Sequence, residues 1–246
     1  MHENSRFTTD KIDGLLTCQG DIDRTIQRLP AALPVVSLVH PSSLVASVVA
    51  DESTGIGEAI QHLVKLGHRR IAYLSCAAQS WTNLLAKQRI AAYQANLKAA
   101  GIQPLSLWVR PVFMPFEKKA VSFEAAGYER TKRWLEEDWR ELGCTALLTH
   151  NDDVAVGAID ALLASGLRVP DDVSVVGFDG TEISDAHRPR LTTVEMPLSE
   201  IGARGVDLLL GGIADVSRID PSAPPEKVIL PTRFRAREST AAPAAA

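Results

Sequence analysis

The sequence lacks any apolar run of the roughly 18 to 20 residues that a bilayer-spanning helix needs, so no transmembrane segment is expected. The opening residues, Met1-His2-Glu3-Asn4-Ser5-Arg6, lack the charged and then apolar layout of a secretory signal, and a cytoplasmic protein is expected. Cysteine is scarce: Cys18, Cys76 and Cys144 are odd in number, lie far apart and form neither a C-x-x-C pair nor a zinc spacing. That pattern excludes a disulfide framework and reads as buried, reduced thiols. A basic excess is also missing, since 30 acidic residues face 26 basic ones for a formal net charge of -4. Such a balance supplies no field that would attract a polyanion. The six histidines, His2, His40, His62, His68, His150 and His187, never fall at metal-ligand spacing, so no metal is expected. There is no G-x-x-x-x-G-K-[ST], no G-x-G-x-x-G after a strand, no G-x-S-x-G elbow and no H-E-x-x-H. Neither a catalytic centre nor a cofactor is therefore expected, and no internal repeat is present.

What is present is enough apolar material for an ordinary core, 46% hydrophobic residues in 246, which suits one large domain or two small ones. Apolar runs of strand length alternate with segments of helical period, an order that implies an α/β protein with a parallel sheet covered on both faces. Strands are predicted at Ile12–Thr17, Pro34–Val39, Ile71–Ser75, Ala146–Thr149, Val173–Phe178 and Lys227–Leu230, most of them rich in Val, Ile and Leu without clean alternation and so buried on both faces. Ile56, Ala59, Ile60, Leu63 and Val64 share one helical face, with Gly67 where a left-handed cap belongs. A second helix carries Ala155, Ala158, Ile159, Leu162 and Leu163, starts near Asp152 as its cap and stops at Gly166. Further helices are predicted over Leu84–Ala100, Ser122 to about Trp139 and Leu198–Leu210. Asp220–Pro225 reads as a surface loop, and residues 241–246 as a disordered tail.

Ligands of open α/β sheets bind beyond the carboxyl ends of the strands. Three polar segments qualify: Cys76 to Asn83, which contains Trp81; His150-Asn151-Asp152; and Asp179-Gly180. Asp152 is better explained as a helix cap than as a ligand contact, and Asn151 suits either role. An Asp179 carboxylate could accept two hydroxyl hydrogen bonds, although a turn-forming Asp is common beside glycine. By pattern alone Arg89 is a solvated helical arginine.

Five motifs then resemble one family. Gln61-His62-Leu63-Val64-Lys65-Leu66-Gly67-His68-Arg69-Arg70-Ile71-Ala72-Tyr73-Leu74 looks like its "HL..LGHRRIA.L" block, and Asn151-Asp152-Asp153-Val154-Ala155-Val156-Gly157 like its "ND..A.G" segment. Gly166 to Asp179 resembles "GL.VPDDVSVVGFD", Pro189 to Val194 resembles "P.LTTV", and Arg237-Glu238-Ser239-Thr240 resembles the closing "R.ST". Their order and extent, from about Ile12 to Thr240, make the chain similar to the effector-binding domain of LacI/GalR-type transcription regulators. The resemblance implies a periplasmic-binding-protein-like fold: two doubly wound parallel-sheet lobes, three crossovers, and an effector held between them. By the family's plan, residues 1–67 and 192–218 form an N-terminal lobe, incomplete here, and 68–191 with 219–240 form the C-terminal lobe.

The resemblance also implies ligand contacts. Arg89 matches the arginine of "R..G[FY]..A", whose planar fork grips hydroxyls or a carboxylate. Phe123 matches an aromatic that stacks on a sugar or purine. Asn151 and Asp179 match polar contacts at strand ends, and Asn83 is an addition from the variable loop. Two departures, Leu38-Val39-His40 in place of a strand-end Asp and Gly180 after Asp179, imply an effector unlike those of well-known members. No counterpart of the DNA-binding head or of the first strand and helix units precedes Ile12, so an N-terminally truncated chain is expected. Its first strand should keep an open edge, and apolar faces of the Ser53–Leu66 and Leu198–Leu210 helices should lose cover.

The implied function is sensing of a sugar-like molecule, or a nucleobase, to control operator binding, with no enzymatic activity and no membrane partner. A homodimer is expected for the full-length protein. The competing readings are a solute-binding protein of a sugar transporter, against which the "GHRR" and "P.LTTV" blocks speak, and an α/β enzyme, against which the missing catalytic motifs speak. Operator DNA is expected to be bound only through the head. The purified 246-residue chain should therefore give no salt-sensitive gel shift with operator DNA at physiological ionic strength, and such a shift would overturn this expectation.

Overall fold

Continuous runs of Val, Ile and Leu can be buried on both faces only if helices cover each side of a parallel sheet. The computed structural model, which describes residues 12–19, 22–29, 33–78, 84–114, 122–214 and 224–244, realises this twice. One unit comprises residues up to Ala50 together with Pro197–Leu230, and the other Asp51–Met196 together with Pro231–Ala246. The chain thus passes between units at Ala50, at Met196 and at Leu230, the three crossovers implied by the resemblance.

The first unit begins with β1 (Leu15–Thr17), a short helix α1 (Ile22–Ile26), β2 (Val35–Leu38) and β3 (Ala46–Ala50). After the first crossing come α2 (Glu52–Leu66), β4 (Ile71–Ala78), α3 (Leu84–Ala99), β5 (Val109–Met114), α4 (Phe123–Glu137), α5 (Trp139–Leu142), β6 (Ala146–Thr149), α6 (Asp152–Ala164), β7 (Ser174–Asp179), α7 (Glu182–Ala186) and β8 (Thr192–Glu195). The chain then returns to the first unit for α8 (Leu198–Ala214) and β9 (Lys227–Leu230), and ends in the second with β10 (Arg233–Arg235).

In the first unit the strand order is β1-β2-β3-β9, all parallel. Helix α8 packs on β1, β2 and β3, and Gly14 faces Leu209 and Ile213 so closely that an added Cβ would lie 2.8 Å from Leu209 Cδ1. Among the described residues β1 pairs with β2 alone and forms an edge, as expected. Of the two helices expected to lose cover, α2 instead buries Ile56, Ala59, Ile60 and Leu63, while α8 leaves Leu198, Val206 and Leu210 exposed.

The second unit holds a six-stranded sheet ordered β10-β8-β7-β6-β4-β5, parallel except for β10. Its chain path turns from β5 at one edge back to β6 on the other side of β4, which makes the β4/β6 junction the topological switch point. Strands β6 and β7 are buried almost throughout, and α4 and α6 pack against each other through small residues. At Gly157 an added methyl would overlap the Glu124 carbonyl oxygen and lie 2.8 Å from the Tyr128 amide nitrogen; at Gly127 it would lie 2.6 Å from the Val154 carbonyl oxygen.

Several boundaries differ from the sequence reading. Helix α2 packs on α3, β8 and β10, so the passage between units lies at Ala50 rather than Gly67. Strand β8 is hydrogen-bonded to β7 in the six-stranded sheet, whereas β9, expected with the end of the chain, pairs with β3 in the first unit. The N-cap of α6 is Asn151, whose Oδ1 accepts the Val154 amide at 3.0 Å, and not Asp152. Gly67 (φ 108°) and Gly166 (φ 80°) do close α2 and α6 in the left-handed region. Cys76 and Cys144 are buried, but Cys18 is exposed.

The end of the chain is not loose as far as Ala244. Ser239 Oγ donates to the Val175 carbonyl at 2.6 Å and accepts the Thr192 amide at 2.8 Å. Buried His68 contacts Thr145 Oγ1 at 2.8 Å through Nδ1, and Ser174 Oγ and the Ala241 carbonyl at 3.1 and 2.9 Å through Nε2. Small hydroxyl residues in "R.ST" and in β7 thus hold the C-terminal segment, which corrects the expected tail at its first residues.

Overpacking of a close helix pair commonly costs about 1–3 kcal/mol. Gly157→Ala should accordingly lower the unfolding free energy by an amount in that range in urea titrations, with α4 losing protection in hydrogen exchange. An unchanged midpoint would contradict the closeness of α4 and α6.

Candidate functional site

The carboxyl ends of β6 and β7 and the first turns of the helices after them bring polar groups together on one face of the second unit. An arginine inside the apolar stripe of α3 anchors it. Leu85, Ala86, Ala92 and Tyr93 of α3 are buried, and the same stripe carries Arg89, only 3% exposed. It is therefore not the solvated residue that helical pattern alone suggests.

A buried guanidinium needs its charge answered and its N–H groups bonded. Arg89 Nε and Nη2 donate to Glu52 Oε2 and Oε1 at 2.9 and 2.7 Å, a two-point pair. Nη1 donates to the His150 carbonyl at 2.5 Å. The guanidinium carbon sits 4.1 Å from the centroid of the Phe178 ring. Nη2 also faces Asp179 Oδ1 at 3.7 Å and the Met196 sulfur at 3.9 Å. Burial alone would make Arg89 easier to deprotonate, but the charges of Glu52 and Asp179 outweigh it and hold the group above the usual arginine value. Glu52, in the first turn of α2, adds its charge where the helix dipole favours an anion.

Asp179 ends β7 with φ at 103°, a left-handed value that costs a non-glycine residue energy, and Gly180 follows at 71°. Its carbonyl accepts the Met196 amide at 3.0 Å, and its carboxylate projects at the strand end with the side chain 28% exposed. Burial pushes its pKa up from 3.8 to about 7; Arg89 pulls the other way, and Asp152, Glu52 and Asp153 add to the rise.

Asp152, 1% exposed, closes the floor. Its Oδ1 accepts the Thr193 hydroxyl at 2.5 Å, and its Oδ2 accepts the Thr181 amide and hydroxyl at 2.7 and 3.1 Å. Burial raises its pKa, against these hydrogen bonds. The glycine of "GFD" has its reason here, since a Cβ on Gly177 would overlap Asp152 Oδ1 and lie 2.7 Å from Leu191 Cδ2. Asn151, buried beside His150, commits its oxygen to the helix cap, and its amide nitrogen donates to nothing among the described residues.

Of the five expected contacts, Arg89, Asn151 and Asp179 converge around the starts of α6 and α7. Phe123 opens α4 half-buried, and among the described residues no hydrogen bond or ring contact joins it to those three. Asn83, with Trp81, lies outside the described residues. The sequence reading missed Glu52: Asp51, whose Oδ1 accepts the Thr54 amide at 3.1 Å, makes the next residue look like an ordinary first-turn acid. A cavity of about 280 Å³ lies elsewhere, between α4 and α6, lined by Ser122, Tyr128, Gly157 and Asp160 among others, and holds none of the expected contacts. Among the described residues no cluster is placed to hold a metal ion, and no helix is long and apolar enough to cross a membrane.

Residues 60–240 match the Periplasmic binding protein-like domain family. The chain belongs to that family, in its LacI-type branch. It is 35% identical over 230 residues to the transcriptional repressor PurR of Mannheimia succiniciproducens, covering 89% of this chain and 64% of that protein. A solved dimeric Lac repressor superposes with a TM-score of 0.77 at 28% identity over 96% of this chain and 80% of that one. A CelR–cellobiose complex superposes with a TM-score of 0.76 at 27% identity, covering 93% of this chain and 66% of that chain. The chain therefore spans about two thirds of the length of the PurR relative.

The raised pKa of Asp179 fixes a stability trend. A carboxyl that holds its proton more tightly folded than unfolded opposes folding once ionised. That opposition is absent below the unfolded value of 3.8, grows as pH rises, and is complete above about 7. Asp179→Asn should raise the thermal midpoint more near pH 8 than near pH 5. An equal gain at both would show that Asp179 ionises as freely in the folded chain as in the unfolded one.

Proposed function

We propose that this chain is the effector-sensing part of a LacI-type transcription regulator, binding a small sugar-like molecule on the strand-end face of its second unit. The observation that carries this is the pairing of Arg89 with Glu52 and Asp179 at the strand ends, where Asn151 caps α6, beside the switch point of the parallel sheet. A planar cation, an open carboxylate and a free amide donor at strand ends are the groups that orient a polyhydroxylated ligand. Phe123 and Asn83 complete the proposed contact set, the first as a stacking surface. The matched relatives include the Lac and PurR repressors, and CelR was solved with cellobiose. In the whole protein, effector binding would shift a two-state equilibrium that sets operator affinity, by as much as the effector's affinities for the two states differ. Operator binding, a homodimeric assembly and a cytoplasmic location belong to that proposal, and turnover of the effector does not.

An effector found by thermal-shift screening of neutral mono- and disaccharides gives the test. Asp179→Ala should weaken it by about 1.5 to 3 kcal/mol in calorimetry, the range for a hydrogen bond to a charged group, and Arg89→Ala should weaken it as well, because Glu52 and Asp179 lose the cation that holds them. If both variants stay folded by circular dichroism and keep the parent affinity, the site is assigned wrongly.

A further inference from the structure

The face that holds Arg89 is unevenly charged. Among the described residues Arg89 stands with the carboxylates of Glu52, Asp152 and Asp179, and Asp153 adds to the negative side. Their hydrogen bonds show which of them is still open. Both Glu52 oxygens take an N–H of Arg89, and both Asp152 oxygens are bonded by Thr193 and Thr181. All three Arg89 nitrogens already donate inside the protein, to Glu52 and to the His150 carbonyl. Asp179 differs. Among the described residues no donor reaches its carboxylate within hydrogen-bond distance; Arg89 Nη2 stands off at 3.7 Å.

We infer that Glu52 sets the charge specificity of this face: by holding Arg89 in a two-point pair it leaves Asp179 as the open charged group, so the effector brings hydroxyl or ammonium donors, and carboxylate and phosphate effectors are excluded. The inference rests on the strand-end face being the effector site. An arginine beside a strand end would by itself recruit anions. Here an incoming anion that displaced Glu52 would leave that side chain, 10% exposed, buried without a partner. If it left Glu52 in place, it would approach Asp179 with Arg89 already neutralised. A hydroxyl or an ammonium group meets neither obstacle, and it supplies the donor that the Asp179 carboxylate lacks.

Inorganic phosphate is the probe. Thermal unfolding of the chain in sodium phosphate, compared with sodium chloride at equal ionic strength, should show no phosphate-specific stabilisation. The Glu52→Gln/Asp179→Asn double variant should bind phosphate about tenfold tighter or more, the gain expected when a charge-assisted pair to arginine becomes available. Adding Arg89→Gln should abolish that gain. Phosphate stabilisation of the parent chain that depends on Arg89 would overturn the inference, as would a folded double variant as indifferent to phosphate as the parent. Should the double variant not fold, the carboxyl carbon resonance of Asp179 in the parent decides: it should stay unmoved by phosphate, and a saturable shift overturns the inference. A neutral hexose with its 2-amino, uronic acid and 6-phosphate forms then separates this inference from the sensing reading. Binding of the neutral or amino form supports it and tells hydroxyl from ammonium. Binding of the acid or phosphate form sinks the charge rule and leaves sensing intact, and binding of none counts against sensing while the phosphate result stands.

Discussion

A guanidinium that is 3% exposed cannot stay charged unless the protein supplies its counter-charge and acceptors. Arg89 obtains them from three places far apart in the sequence: the first turn of α2 through Glu52, the end of β6 through the His150 carbonyl, and the end of β7 through Phe178 and Asp179. Each of these must be in position before the arginine can be buried. The pair is therefore a constraint on assembly more than a net source of stability, because two ions well paired in the interior roughly recover what they lost in hydration. Removing one partner is different, since the survivor is left charged and unanswered.

A second layer of polar groups supports this arrangement from beneath. Asp152 ties the start of α6 to the β7–α7 connection through Thr181 and to β8 through Thr193, and it fits only because β7 carries a glycine at 177. Farther along the same sheet, Ser239, Thr192, Ser174 and His68 hold the C-terminal segment with hydroxyl and imidazole bonds of 2.6 to 3.1 Å. Burial makes His68 harder to protonate, which suits a ring that accepts from one hydroxyl and donates elsewhere. Short polar side chains in these strands therefore serve the interior of the unit, and the motif residues 174, 192, 193 and 239 owe their identity to packing as much as to any ligand.

The parts of the fold that could be read in the sequence were those with strong one-dimensional signals. Doubly buried strands such as 146–149 and 173–178 announce themselves by short runs rich in Val, Leu and Phe, and Gly67 and Gly166 mark helix ends by their backbone freedom. Strands with mixed or short patterns did not: Ala46–Ala50 follows a serine-rich turn, Val109–Met114 is interrupted by a proline, and Thr192–Glu195 carries two threonines. Lobe boundaries were missed where they depend on packing partners, as with α2. At the candidate site, Asp179 and Asn151 were visible as polar residues after strands. Arg89 was visible only through family resemblance, because burial of a charge cannot be seen without its partner, and nothing in the linear pattern links position 89 to position 52. The exchange of capping duty between Asn151 and Asp152 was likewise invisible, since either side chain can cap a helix and the choice was made by Thr181 and Thr193.

The three passages between units also govern how the chain can fold. Strand β10 joins the six-stranded sheet beside β8 only after the intervening chain has left to build α8 and β9 on the other sheet. Neither unit is a continuous stretch of polypeptide, so each is completed by a segment that follows part of the other in the chain. Such long-range closure raises contact order and slows folding, with the half-built first sheet waiting for β9 along the edge of β3. The same interlacing has a protective side: a protease that cuts any one of the three connections releases no free unit, because each is still stitched to its missing segment by strand pairing and by the helices packed across it.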